Sequence, residues 1–132
     1  VFRVVIITPE KRVFDGKARF VEFKTSSGAM GTLQNRAPLL AAMAISEFEI
    51  KDENGTKQIF AVHGGISEFF NNTFTVISDA AERADEIDVD RAKRALEVAR
   101  VELKSIESKI RKREAEGKIQ RALVRLKISQ KK

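Results

Sequence analysis

The residues best suited to chemistry in this chain are charged and lie beyond position 80. Ile87-Asp88-Val89-Asp90-Arg91-Ala92 sets a carboxylate at what reads as a helix start, with a guanidinium one turn in. Exposed N–H groups there, together with Arg91, form the kind of site that holds an anionic nucleotide. Arg121 and Arg125 are four residues apart, so they share one helical face and can grip phosphate oxygens with forked donors. If their segment folds back antiparallel on the one after Asp88, the two arginines approach Arg91. Three converging guanidiniums then need an anion. Each feature also has a purely structural reading: Asp88 as N-cap, Ile87 as hydrophobic staple, Arg91 as a solvated charge, and Arg121/Arg125 as a basic solvated face.

No catalytic constellation accompanies them. The chain has 132 residues with no Cys and a single His, His63, which excludes disulfides, thiolate nucleophiles and His clusters. His63 has no Ser or acid at a triad spacing and reads as a packed or hydrogen-bonded core residue. Glu82, Asp85 and Glu86 match no metal loop, and there is no P-loop. No catalytic residues and no metal are therefore expected.

Charge divides the chain into two parts. Residues 1–79 carry nine Lys/Arg against nine Asp/Glu, whereas residues 80–132 carry sixteen against ten. Acid is concentrated between 80 and 90, so the remainder is strongly basic. All nine Phe, both Pro and six of seven Gly lie at or before residue 79. A compact body of about 80 residues with a helical appendage is implied. The longest apolar run, Leu39 to Ile45, is far short of the roughly 20 residues that span a bilayer. No basic stretch followed by an apolar one opens the chain, and Val1 in place of Met suggests a processed or trimmed start. The expectation is an intracellular chain, soluble or peripheral to a membrane.

The body reads as sheet. Phe2 to Thr8 is a strand ending at Pro9; Lys11 to Phe14 and Ala18 to Thr25 suggest a hairpin turning at Asp15-Gly16. Met43 to Lys51 and Thr56 to His63 flank Asn54-Gly55, the strongest hairpin signal. Gly64-Gly65 marks a bulge or close backbone approach, and Asn71-Asn72 turns a last hairpin ending at Ser78. Short strands with turns every eight to twelve residues predict an antiparallel β-sandwich or barrel. From Asp88 the period becomes helical: Ala92, Ala95/Leu96, Ala99, Leu103, Ile106 and Ile110 form one narrow seam, and Ala115, Ile119, Ala122/Leu123 and Leu126 a second. With no Pro to mark a break, a turn near Ser105 to Ser108, a turn near Gly117 and one long helix are all allowed; a helical hairpin turning near Ser105 to Lys112 is favoured. Because the seam is rich in Ala and lacks aromatics, its docking should be marginal: each buried Leu or Ile contributes roughly 1.5–3 kcal/mol, against about 1–2 kcal/mol per ordered residue.

These motifs, in this order, resemble the epsilon-subunit family of bacterial F-type ATP synthases. The resemblance rests on Thr8-Pro9, Ser27-Gly28-Ala29-Met30-Gly31 with Leu33, Ala37-Pro38-Leu39, His63-Gly64-Gly65, Ala80-Ala81-Glu82-Arg83-Ala84 and Ile87-Asp88-Val89-Asp90-Arg91-Ala92. It implies a sandwich of about ten short strands over residues 1–84, binding the gamma subunit and the c-ring. It further implies a mobile two-helix hairpin over 85–132 that, when extended, reaches the catalytic alpha and beta subunits. The implied protein is a non-catalytic rotor part that couples ion translocation to ATP synthesis and restrains hydrolysis. Its implied place is the cytoplasmic side of the bacterial inner membrane, peripheral, through the complex.

In nucleotide-binding members of that family, ATP clamps the folded hairpin as a regulatory ligand, with no cofactor required. The matching positions here are Glu82, Ile87, Asp88, Arg91, Ala92, Arg121 and Arg125. Val98 departs from the arginine of some such relatives, and Gln34-Asn35-Arg36 from a common Pro-Gly-His. The competing readings are a basic helical-hairpin module for nucleic acid and a small sandwich enzyme built on His63. The lack of Trp and Tyr in the body and five Glu in the basic segment weigh against the first.

Overall fold

In a computed structural model, residues 1–25, 28–33, 38–105 and 109–130 are described, with only the backbone of 29, 30, 32 and 33. Ser27, Gln34-Asn35-Arg36, Ala37 and Ile106 lie outside the described residues. Seven strands precede two helices: β1 Phe2–Ile7, β2 Arg12–Thr25, β3 Gly28–Leu33, β4 Leu39–Asp52, β5 Lys57–Phe70, β6 Thr73–Ile77, β7 Ala81–Arg83, then α1 Val89–Ser105 and α2 Lys109–Ser129. The strands run β1-β6-β5-β4-β2-β3 with β1 also paired to β2, so five of them close into a flattened barrel. Two layers thus enclose one core, the sandwich that the alternation of apolar residues predicts.

Two expectations change. Seven strands among the described residues replace about ten, because three 14-residue strands run through both layers without a break. Asp15-Gly16 is accordingly no turn. It lies inside β2, opposite Val5 and Val4 of β1, and the reversal falls earlier, where Thr8 N–H donates to Lys11 O at 2.9 Å. Asp15 is held flat on the sheet by Arg3 and Arg12 at 2.8 and 2.9 Å. The sheet also contains one parallel pair, β1 with β6, at the seam where the barrel closes.

Gly64-Gly65 marks the point where β5 leaves β7 and takes up β6. Both glycines have positive φ, +79° and +112°, and a Cβ on Gly65 would stand 2.1 Å from the Ile77 carbonyl oxygen. Only glycine permits that crossing. The turns at Gly55 (φ +84°) and at Asn71-Asn72 (φ +51° and +58°) fall where the sequence puts them.

Six phenylalanines, Phe2, Phe23, Phe48, Phe60, Phe69 and Phe74, are fully buried. Phe74 sits centrally, with ring centroids 5.0–6.2 Å from those of Phe23, Phe48 and Phe69. Such edge-on and offset contacts add about 0.5–1.5 kcal/mol each beyond burial. A second, smaller apolar cluster attaches the hairpin: Val124 and Ile128 of α2 meet Ala61, Ala84 and Ile87, with Ile45 and Ile59 alongside. It is α2 that rests on the sheet, while α1 stacks on α2.

Candidate anion-binding groove

Helix α1 starts where its cap predicts: Arg91 N–H donates to Asp88 Oδ1 at 3.1 Å, the N-cap bond that satisfies one of the helix's orphan donors. Ala92, Leu96 and Ala99 are buried on the face toward α2, and Ala115 and Ala122 answer from α2. Alanines on both sides leave little side-chain bulk in the seam. Helix α1 ends at Ser105 and α2 begins at Lys109; the residues between them, 106–108, where the expected turn falls, lie outside the described residues. Ile110, counted by its spacing with the first seam, lies past the reversal and is 72% exposed.

Antiparallel stacking brings the predicted arginines together. A groove of about 330 Å³ between the helices is lined by Arg91, Arg94, Lys118, Arg121 and Arg125, with Ala95, Val98 and Ala99 as its apolar part and Glu102 as its acid. Lys118 Nζ pairs with Glu102 at 3.3 Å, which neutralises the end near the reversal. The excess positive charge therefore lies toward the start of α1. Such a surface favours an anion with several charged oxygens. Spacing alone identified Arg91, Arg121 and Arg125. Arg94 and Lys118 escaped it because each reads as one more charge in a basic segment until the partner helix is placed.

The other predicted positions act around the groove. Arg125 Nε donates to Glu82 Oε1, and the same side chain lines the groove. Glu82 also faces His63, whose Nε2 lies 3.3 Å from the same oxygen. The buried His63 and the Arg125 guanidinium hold the Glu82 carboxyl down from 4.5 to about 2, against the opposing effect of burial. With Nε2 donating, His63 Nδ1 is a buried acceptor without a partner. Glu82 is thus a clasp between β7 and α2. Ile87 packs beneath α2 in the second apolar cluster, and Ala92 is a seam residue, 2% exposed. Neither Ile87, Asp88, Ala92 nor Glu82 lines the groove itself.

Fold and groove together define a class: a β-sandwich carrying an antiparallel helical hairpin with a cationic cleft between its helices. Family models give that class its name. The ATP synthase delta/epsilon chain β-sandwich domain matches residues 1–84, and the long α-helix domain of the same chain matches residues 85–130. The chain belongs to the ATP synthase delta/epsilon family. It is 38% identical to the ATP synthase epsilon chain of Ligilactobacillus salivarius, covering 98% of this chain and 95% of that one. It is 39% identical to that of Symbiobacterium thermophilum, covering 96% and 91%. The sodium ion specific epsilon chain of Propionigenium modestum is 33% identical, covering 98% and 93%.

Two solved assemblies contain the same fold. One is the Euglena gracilis mitochondrial ATP synthase OSCP/F1/c-ring (TM-score 0.76, 19% identity, 91% of this chain and 76% of that one). The other is the Tetrahymena thermophila central stalk and c-ring (TM-score 0.65, 17% identity, 96% and 95%). As an epsilon-type chain, the protein is a rotor subunit of ATP synthase, a membrane-associated complex; the nucleic-acid reading finds no support among these relatives. No described helix is long and apolar enough to cross a membrane.

Proposed function

We propose that the sandwich fixes this non-catalytic subunit to the gamma subunit and c-ring, while the hairpin over 85–132 regulates ATP hydrolysis by docking or extending. The membrane is the bacterial inner membrane, and the chain sits on its cytoplasmic side. The observation that carries this reading is the division of labour in α2. One face of α2 holds the sheet through Val124, Ile128 and the Arg125–Glu82 clasp, and the other builds a cationic groove with α1. An anion in the groove relieves repulsion among the arginines and stabilises the stacked hairpin.

ATP is the ligand we assign to the groove, as a regulatory effector and not a cofactor of catalysis. Arg91, Arg121 and Arg125 hold its phosphates, Asp88 fixes the start of α1, Glu82 orients Arg125, and Ile87 and Ala92 keep the two helices seated. At 100 times its dissociation constant ATP would favour the docked form by about 2.7 kcal/mol, if it bound that form alone. Released, the basic hairpin is drawn to acidic surfaces of the catalytic alpha and beta subunits and obstructs their turnover.

Removing residues 89–132 tests the regulatory role. The truncated chain should assemble into the rotor and raise latent ATP hydrolysis in the reconstituted enzyme, and unchanged hydrolysis would refute an inhibitory hairpin. For the ligand, ATP titrated into the full chain should give saturable NMR shifts at Asp88 and Arg91, lost in an Arg121→Ala, Arg125→Ala double variant. Their absence from the full chain at millimolar ATP would remove ATP from the scheme.

A further inference from the structure

The five cations of the groove are not equally available. Lys118 is paired with Glu102 at 3.3 Å, and Arg125 commits its Nε to Glu82. Arg91, Arg94 and Arg121 have no ion-pair partner among the described residues. Arg121 lies back along its own helix, since a Cβ on Gly117 would stand 3.3 Å from its Nη1. Glycine is a poorer helix former than alanine, and here it leaves room for a guanidinium at the groove wall.

On the opposite wall, Arg91 and Arg94 are three residues apart and share one face of α1. Beside them the lining is Ala95 and Ala99, whose short side chains let a ligand come close to the helix. Arg91 is the nearer of the two to the helix end. Arg94 stands one turn further along, where the groove continues toward Val98. A single phosphate can be met by the arginines of one wall. A chain of phosphates running along the cleft passes both Arg91 and Arg94 while Arg121 and Arg125 close from α2.

We propose that Arg94 is a phosphate-binding residue of this groove, gripping a polyphosphate chain across from Arg121 and Arg125. The proposal rests on the reading of the groove as an ATP site and adds to it a residue that spacing did not single out. It is tested on the full chain by calorimetric titration with ATP and, separately, with inorganic tripolyphosphate. The wild type is compared with Arg94→Ala, Arg94→Lys and Arg100→Ala, the last removing an exposed arginine of α1 outside the groove. Arg94→Ala should weaken both ligands about tenfold, the loss of a charge-assisted contact, and Arg94→Lys should recover part of it. Arg100→Ala should stay within about twofold, the effect of one remote screened charge. If Arg94→Ala binds as Arg100→Ala does, Arg94 is no ligand and the groove reading stands without it. If the wild type shows no saturable binding of ATP, the groove reading itself fails, and the proposal with it.

Discussion

Replacing Glu82 by Gln should loosen the hairpin without disturbing the sandwich. Glu82 lies on β7 and its clasp partner Arg125 on α2, so the pair joins the two parts of the chain. Holding the carboxyl at about 2 instead of 4.5 corresponds to about 3 kcal/mol in all, shared between His63 inside the sandwich, the larger influence, and Arg125 on α2. The side chains of Arg125 and Glu82 are 28% and 29% exposed, and with screening by water the share that joins α2 to the sheet is about 1 kcal/mol. Opening of α2 from the sheet should become about five times more frequent at pH 7. Amide exchange, corrected for intrinsic rates, reads this directly: protection should fall around Val124 and Ile128 and hold around Phe48 and Phe74.

The pH dependence has a definite sign. Because the carboxyl is depressed in the folded chain, its contribution is fully present above 4.5 and is lost as pH falls toward about 2. The wild type should therefore lose its advantage over Glu82→Gln through that acid range and match it at pH 2. Equal protection of α2 in the two proteins at pH 7, or a gap that persists at pH 2, would refute the clasp.

Two further substitutions probe the β5 crossing and the apolar cluster under α2. Gly65→Ala sets a Cβ 2.1 Å from the Ile77 carbonyl oxygen at a φ of +112°, so the β5 crossing must distort; a loss of more than about 3 kcal/mol is expected in urea unfolding, and a loss below 1 would contradict the close approach. Ile128→Ala empties a fully buried site under α2 and should cost about 2–5 kcal/mol of docking; α2 should lose protection while the Phe74 core keeps it, and loss of both together would show the two clusters to be one cooperative unit.

Much of this fold is legible in the sequence because local signals and tertiary packing agree. The Asn-Gly and Asn-Asn turns, the cap at Asp88 and the alanine seam each require a particular backbone geometry that few other residue types supply. Asp15-Gly16 misleads for the opposite reason. It has turn composition, yet β1 offers a paired ladder on one side and Arg3 and Arg12 neutralise the aspartate, so extension is favoured. The count of about ten strands, which the resemblance implied, differs because β2, β4 and β5 each run unbroken for 14 residues, β5 straight through the Gly64-Gly65 bend. In the groove, i,i+4 spacing finds Arg121 and Arg125, but facing positions across two helices depend on where the chain reverses. Arg94 and Lys118 become visible only once that reversal is placed.

The arrangement of α2 bears on the proposed release of the hairpin. Few large apolar side chains join α2 to the sheet, chiefly Val124 and Ile128, and α1 adds almost nothing to that contact. At roughly 1.5–3 kcal/mol for each buried aliphatic side chain, these two contribute about 3–6 kcal/mol, so that the Glu82 clasp is a smaller but material share of a modest attachment. Arg125 belongs to both, since its Nε holds Glu82 and the same side chain, with two further nitrogens, lines the groove. An anion that engages those nitrogens tightens the same guanidinium that Glu82 grips, so filling the groove and seating α2 favour one another. Because that coupling is reciprocal, Glu82→Gln should also weaken ATP binding, although Glu82 does not line the groove. A variant with a loosened α2 and unaltered ATP affinity would show that Arg125 does not connect them.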